Sequence, residues 1–419
     1  DTSIVAQFQV RRDPKSEFLF SSGSQEEVYM LAWTTTPWTL PANTALTVGE
    51  NIRYSQVNTF NPYTHKPVSV VLATELVSRY FSEKNKNLGL ADYKPGDKAI
   101  PYEIAGEFTG KQLVGIRYHQ LMPYVLPVND SARAFRVISG DFVTTEDGTG
   151  IVHTAPAFGA DDFRVGKKYD IGILTLVDRQ GKFVDGLGEF SGRYIKDYKS
   201  EEHYVDVNID ISVKLKKENR AFKVEKYEHT YPHCWRTDKP VLYYPLDSWF
   251  IRTTALKDKM VALNKTINWK PESTGTGRFG NWLENMVDWN LSRSRYWGTP
   301  LPIWRTEDGS EEKCIGSIDE LNAEIRKASE VLGGDVNKNY LHDGILDLHK
   351  PYVDEILLVS ESGKPMKRVP DLIDVWFDSG AMPNMPASPF SVWTARKMSF
   401  FSDTIAHGAL AGVAIGAWL

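Results

Sequence analysis

From Gly148 to Phe163 the chain reads Gly-Thr-Gly-Ile-Val-His-Thr-Ala-Pro-Ala-Phe-Gly-Ala-Asp-Asp-Phe, and no other stretch leaves the fold less freedom. Gly148 and Gly150 suit a tight turn, because glycine adopts backbone angles closed to other residues. Ile151-Val152 is a short apolar run that reads as a buried strand ending at His153. Pro156 and Gly159 then interrupt regular structure. The acidic pair Asp161-Asp162 suits the positive end of a helix beginning there. The expectation is a histidine and a carboxylate presented on loops at a sheet rim, a common place for chemistry. Taken alone, His153 reads more readily as a satisfied core histidine. A second stretch tips the reading toward function: Leu31-Ala32-Trp33-Thr34-Thr35-Thr36-Pro37-Trp38-Thr39-Leu40-Pro41-Ala42-Asn43-Thr44-Ala45-Leu46.

The 419 residues are 42% hydrophobic and 25% charged, an ordinary globular balance, and the length suggests two or three domains. A net charge of -5 excludes a generally basic polyanion coat, so any nucleic-acid contact is a local patch. Cys234 and Cys314 stand far apart without a Cys-x-x-Cys partner. They read as free thiols of a reducing compartment rather than a disulfide framework or a zinc site. The N-terminus carries no signal-peptide pattern and no initiator methionine, which reads as a fragment or a processed chain.

Alternation from Ile4 to Val10 predicts a strand, and Glu26 to Trp33 a second. Pro37 and Pro41 forbid a continuous α-helix between them, so that segment reads as an ordered loop. Further strands are expected at Thr44–Val48, Val68–Ala73, Phe135–Ile138, Phe142–Thr145 and Ile171–Val177, with helices at Glu75–Phe81 and Asp161–Tyr169. Val205, Val207, Ile209, Ile211 and Val213 fit either a strand or a helix. The lysines from Lys214 to Lys217 form a solvated face or a phosphate contact. Many short strands and few helices predict an α+β, barrel-like module. A boundary falls near Glu225. Beyond it Trp249–Ile251 reads as a strand, and Asn281–Ser294 as an amphipathic helix packing Trp282, Val287 and Trp289. Arg293 and Arg295 point at a nucleotide or tRNA, or form a structural ion pair.

The two opening stretches together resemble the editing domain of the isoleucyl-tRNA synthetases, a class I family. His229-Thr230-Tyr231-Pro232-His233-Cys234-Trp235-Arg236-Thr237, then Asp288 to Pro300 and Asp371 to Gly380, resemble the returning catalytic segments of the same enzymes. The resemblance runs from about Val28 to about Pro383. It implies an editing domain, a connective-peptide insertion, over 1–225 and a returning part of an incomplete α/β, Rossmann-type nucleotide-binding domain over 226–310. A smaller insertion over 311–370 and a catalytic segment over 371–383 follow. The tail over 384–419 departs from the family and reads as an out-of-frame read or a cloning scar, its apolar end too short to span a membrane. The ATP motifs His-x-Gly-His and Lys-Met-Ser-Lys-Ser are absent from the sequence; Lys397-Met398-Ser399 matches only in part. ATP and magnesium are accordingly expected to serve only the full-length enzyme, with no cofactor needed for editing.

The implied partner is the acceptor end of isoleucine tRNA, with valine and isoleucine as the amino acids told apart, in the cytoplasm and away from membranes. A hydrophobic pocket turns one methylene into only about 1–3 kcal/mol, a limit for which these synthetases are themselves the standard illustration. A second, hydrolytic site supplies the rest by cleaving the ester of valyl-tRNA. The resemblance assigns the substrate ammonium to Asp162, with Asp161 as rival or helix cap, and the size filter to His153 beside Ala155 and Gly159. Thr34, Thr35, Thr36 and Asn43 orient the ester and a water. Thr39 lies beside them, and Trp33 and Trp38 are a stacking face for the terminal base or plain core. Trp376 resembles a residue near the synthetic amino-acid pocket. No activated nucleophile is visible, so positioned water is expected to attack, with His153 as general base the competing role. Valyl and leucyl relatives carry Thr-Thr-Arg-Pro where this chain has Thr34-Thr35-Thr36-Pro37. Their editing domains, or an acceptor-end binding module without turnover, are the alternatives.

Overall fold

The computed structural model describes residues 1–20, 27–127, 133–198, 204–333, 336–337, 341–342 and 344–381. The chain divides into a unit Asp1–Pro245 and a second from Leu246 onward. The break in contacts thus falls later than the change of motif near Glu225. Among the described residues no helix is long and apolar enough to cross a membrane.

The first unit is built on one nine-stranded sheet: β1 (Thr2–Gln9), β2 (Val28–Thr34), β3 (Ala45–Val48), β4 (Arg53–Phe60), β5 (Pro67–Ala73), β6 (Glu103–Thr109), β7 (Arg136–Ser139), β8 (Ile151–Thr154) and β9 (Ala221–Lys226). Its order is β6-β4-β5-β2-β8-β3-β7, with β1 paired to β2 and β9. Most of β1, β2, β4 and β5 is buried on both faces. Ile4, Ala6, Phe8, Met30 and Ala32 enter one core, and Val5, Tyr29 and Leu31 a second on the other side. The α+β expectation holds, with a curled sheet in place of the separate layers of an α/β domain.

Strand β2 branches, and the branch positions the site. Its first residues Val28, Tyr29 and Met30 run parallel to β5, whereas Trp33 pairs with Val152 of β8. Strand β8 in turn runs antiparallel to β3, with His153 opposite Leu46. The end of β2, where the threonines begin, therefore lies beside His153.

Among the described residues the unit adds four short α-helices: α1 (Val77–Tyr80), α2 (Gly110–Leu113), α3 (Ala160–Lys168) and α4 (Val207–Lys217). Helix α4 settles the ambiguous apolar alternation. Val207, Ile211 and Leu215, spaced by four, are buried, while Val205, Ile209 and Val213 are exposed. Asp206 caps it by accepting from the Asn208 N–H. Lys214 pairs with Glu189 and Glu218, as a solvated face would.

Several expectations fail for identifiable reasons. Pro37–Ala42 is a 3-10 helix rather than a loop. Its bonds run from Thr39 N–H to Thr36 O and from Asn43 N–H to Leu40 O, using no proline nitrogen. Phe142–Thr145 is turn and coil, and in Ile171–Val177 only Val177 bridges, to Phe183. Both runs bury apolar side chains without a strand partner. In the second unit the helix expected over Asn281–Ser294 stops at Glu284, and the chain continues as short strands at Trp289–Asn290 and Ser292–Arg293. Trp282 and Val287 are exposed rather than packed. Ile303–Thr306, Glu312–Cys314, Leu357–Val359 and Pro365–Arg368 form a four-stranded sheet with the helix Ile318–Leu332 against it. The smaller insertion expected over 311–370 is thus part of a module that begins earlier, at Ile303, and has a core of Trp304, Leu321, Ile325 and Leu358. The tail after residue 381, with Lys397-Met398-Ser399, lies outside the described residues.

Candidate active site

The turn before β8 shapes one wall of a cavity. Gly148 and Gly150 have positive φ, +70° and +72°, and a Cβ on Gly150 would stand 2.4 Å from that of Ala73. No other residue type fits there. The cavity, about 360 Å³, is lined by Trp33, Thr34, Thr35, Thr36 and Thr39, from the end of β2 into the 3-10 helix, and by His153, Ala155, Phe158 and Asp162, from β8 through the following loop into α3. Two stretches more than a hundred residues apart thus meet in one pocket.

His153 is 7% exposed, and both of its ring nitrogens are engaged. Nδ1 lies 2.9 Å from Asn43 Nδ2, and Nε2 lies 2.9 Å from Thr39 Oγ1. The Asn43 amide also donates to the Ala45 carbonyl at 2.8 Å, which identifies its nitrogen end and makes His153 Nδ1 an acceptor. The proton therefore sits on Nε2 and is donated to Thr39, whose own hydroxyl donates to the Thr36 carbonyl at 2.8 Å. Burial lowers the imidazole pKa to about 3. At neutral pH the ring is uncharged and has no free lone pair with which to accept a proton.

Asp162 lies in the first turn of α3, preceded by Gly159, which makes no side-chain cap. One carboxylate oxygen accepts from the Ala155 N–H at 3.0 Å. Burial raises the carboxyl to about 6, with the neighbouring Asp161 adding to the shift. It is still largely ionised at neutral pH; the other carboxylate lining the cavity, Asp147, is already paired with Arg79 at 3.0 Å. Asp161 points elsewhere: it pairs with Arg164 at 3.0 Å and does not line the cavity, and neither acidic residue acts as the helix cap. Gly159 also stands outside the lining, so the small wall residue beside His153 is Ala155.

The three threonines differ. Thr34 Oγ1 accepts from the Thr36 N–H at 3.1 Å and shares a hydrogen with Thr36 Oγ1, also at 3.1 Å. Thr35 makes no side-chain hydrogen bond among the described residues, so its hydroxyl is left for a ligand or water. Trp33 lines the cavity, packed edge-on against Tyr227 at 5.2 Å. Trp38 does not: it is buried behind Phe158, ring centroids 4.8 Å apart, as wall rather than stacking face. Asn43 is likewise outside the lining and acts through His153. Trp376 belongs to a different cavity, in the second unit, with Arg293, Arg295, Trp297 and Asp378. There Arg293 is bound at 2.5 Å to the buried Asp374, a structural ion pair.

Two contributors escaped the sequence reading. Tyr118 donates to Asn43 Oδ1 at 2.7 Å. Asn208, at the start of α4, accepts from the Trp38 N–H at 3.0 Å and so pins the 3-10 helix from 170 residues away. Nothing local marks either one; only the pairing of distant strands brings them in. Among the described residues no group of three His, Cys, Asp or Glu side chains is placed to hold a metal ion.

With this geometry established, the chain can be set beside known proteins. A family model described as tRNA synthetases class I (I, L, M and V) matches residues 24–410, a span that includes much of the stretch after Pro383 where the motifs give out. An isoleucine--tRNA ligase from Cytophaga hutchinsonii is 62% identical over 97% of this chain and 37% of its own length. One from Bacteroides fragilis is 53% identical over 91% of this chain and 36% of its own. The chain thus spans little more than a third of the relatives it matches. Among solved structures, the editing domain of P. knowlesi cytosolic leucyl-tRNA synthetase is 12% identical, covering 54% of this chain and 97% of that one, with a TM-score of 0.34.

Proposed function

Because the chain belongs to the class I tRNA synthetases, we propose that its first unit is the editing site of an isoleucyl enzyme, hydrolysing valyl-tRNA made in error on isoleucine tRNA. The observation that carries this reading is the neutral, doubly bonded His153 facing the same cavity as the Asp162 carboxylate. An ionised carboxylate in a partly dry pocket holds a substrate ammonium by a charge-assisted bond. That fixes where the side chain of the esterified amino acid lies, and a rigid imidazole with Ala155 then limits its size.

Water attacks the ester carbonyl carbon, the bond to the ribose oxygen breaks, and the water's proton ends on that oxygen. The products are valine and free tRNA. With its Nδ1 taken by Asn43 and its Nε2 protonated, His153 is a wall and not the base. The rate comes from holding water and ester together, with the Thr35 hydroxyl as the donor available to orient them. Joining isoleucine to tRNA with ATP and magnesium belongs to the full-length enzyme in the cytoplasm.

Replacing His153 separates the two roles. His153→Ala is expected to keep hydrolysis of valyl-tRNA within about tenfold and to admit isoleucyl-tRNA, since one methylene discriminates by about 10–200-fold at most. Loss of all hydrolysis with the fold intact would make His153 the base and contradict this assignment.

A further inference from the structure

The hydrogen bonds that fix His153 begin outside the cavity. The Ala45 carbonyl, 2.8 Å from Asn43 Nδ2, favours one way for the amide to face, because the flipped amide would set two oxygens against each other. In the allowed orientation Nδ2 serves His153 Nδ1, and Oδ1 must find a donor in a fully buried place. That donor is the Tyr118 hydroxyl at 2.7 Å. Tyr118 has no solvent exposure, and its ring is held edge-on by Phe8 at 5.5 Å and Phe135 at 6.2 Å. From it, donation runs one way: Tyr118 to Asn43, Asn43 to His153, His153 to Thr39, Thr39 to the Thr36 carbonyl. Bonds of one polarity in a buried chain reinforce one another.

We propose that Tyr118 is a positioning residue for selectivity: its hydroxyl holds the Asn43 amide in the orientation that keeps the proton of His153 on Nε2 and the ring rigid against the substrate side chain. The functional half of this rests on the editing reading above. Without the hydroxyl, Oδ1 is a buried acceptor with no donor, and the preference between the two amide orientations narrows. A turned amide presents oxygen to Nδ1 and draws a proton there. The ring then offers Thr39 a bare Nε2, which draws the Thr39 hydroxyl away from the Thr36 carbonyl, or it becomes a cation that repels the substrate ammonium.

The test uses the whole 419-residue chain with its nine histidines labelled with nitrogen-15. The His153 signals are identified by their disappearance in His153→Ala. The native ring should show one protonated and one bare nitrogen. Tyr118→Phe, which removes only the hydroxyl, should give a mixed pattern and lower the preference for valyl- over isoleucyl-tRNA by about tenfold. Phe8→Leu loosens the same ring cluster but leaves the hydrogen bond, and should lower the thermal midpoint with both readouts unchanged. If Tyr118→Phe merely matches Phe8→Leu, Tyr118 is structural and the proposal is overturned. Should Tyr118→Phe fail to fold, Asn43→Asp carries the test. Aspartate offers Nδ1 no donor, so the proton must move to Nδ1, and an unchanged nitrogen pattern overturns the proposal. If the native chain spares valyl-tRNA while the nitrogen pattern responds as expected, the positioning role stands and the editing reading falls. Selective hydrolysis in both native and Tyr118→Phe chains, with one nitrogen pattern, gives the reverse.

Discussion

At the scale of the residue, the site sets function against stability at Asp162. Its carboxyl titrates at about 6 in the folded chain against an ordinary value of 3.8. Between those two values the folded state holds a proton that the unfolded state has released. Stability therefore falls as pH rises through that window, and at neutral pH the ionised group is a net cost. A difference of about two pH units corresponds to roughly 3 kcal/mol at most, less where solvent at the cavity mouth screens the charge. Asp162→Asn is expected to abolish hydrolysis and yet raise the urea midpoint at neutral pH, the gain vanishing at about pH 4. In the native chain only the ionised carboxylate holds an ammonium, so hydrolysis should decline as pH falls through about 6. His153, lowered to about 3, contributes nothing to that limb.

At the scale of the element, the threonine-bearing 3-10 helix is held from outside. Asn208 on α4 accepts the Trp38 N–H, and its own amide donates to Ile195 O and Asp206. Asn208→Ala leaves that buried N–H without an acceptor. It should cost about 1–3 kcal/mol, read as a lower urea midpoint, and slow valyl-tRNA hydrolysis as the threonines lose their register. How far the fold was legible follows from the same kind of contact. Strands β2, β3, β5, β7 and β8 announce themselves by apolar runs, and Asp162 and His153 by position in long motifs. Strand β4 does not, because it buries Ser55, Gln56, Asn58 and Thr59. The Gln56 amide nitrogen, for example, donates to Leu19 O and Ser69 Oγ, and only the folded chain reveals such partners. The run Ile171–Val177 misled for the opposite reason: Ile171, Leu174 and Leu176 are buried as coil packed on the sheet. Tyr118 and Asn208 were invisible because a polar side chain becomes meaningful only with its distant partner.

At the scale of the whole molecule, the two units carry separate cores. Those built on Met30, Leu31 and Val165 belong to Asp1–Pro245, and those on Trp304 and Met260 to the residues from Leu246 onward. Every residue assigned a part in hydrolysis lies in the first unit, and the residues lining the cavity there all belong to that unit. The editing proposed above is therefore expected of this chain by itself, although it spans 37% of a relative's length. The most direct measurement is the release of amino acid from valyl- and isoleucyl-tRNA, both on isoleucine tRNA, by the purified chain and by Asp162→Ala. Rapid loss of valine with isoleucine spared, and inactivity of Asp162→Ala, is the predicted result. Equal hydrolysis of both, or valine loss undiminished in Asp162→Ala, would contradict it.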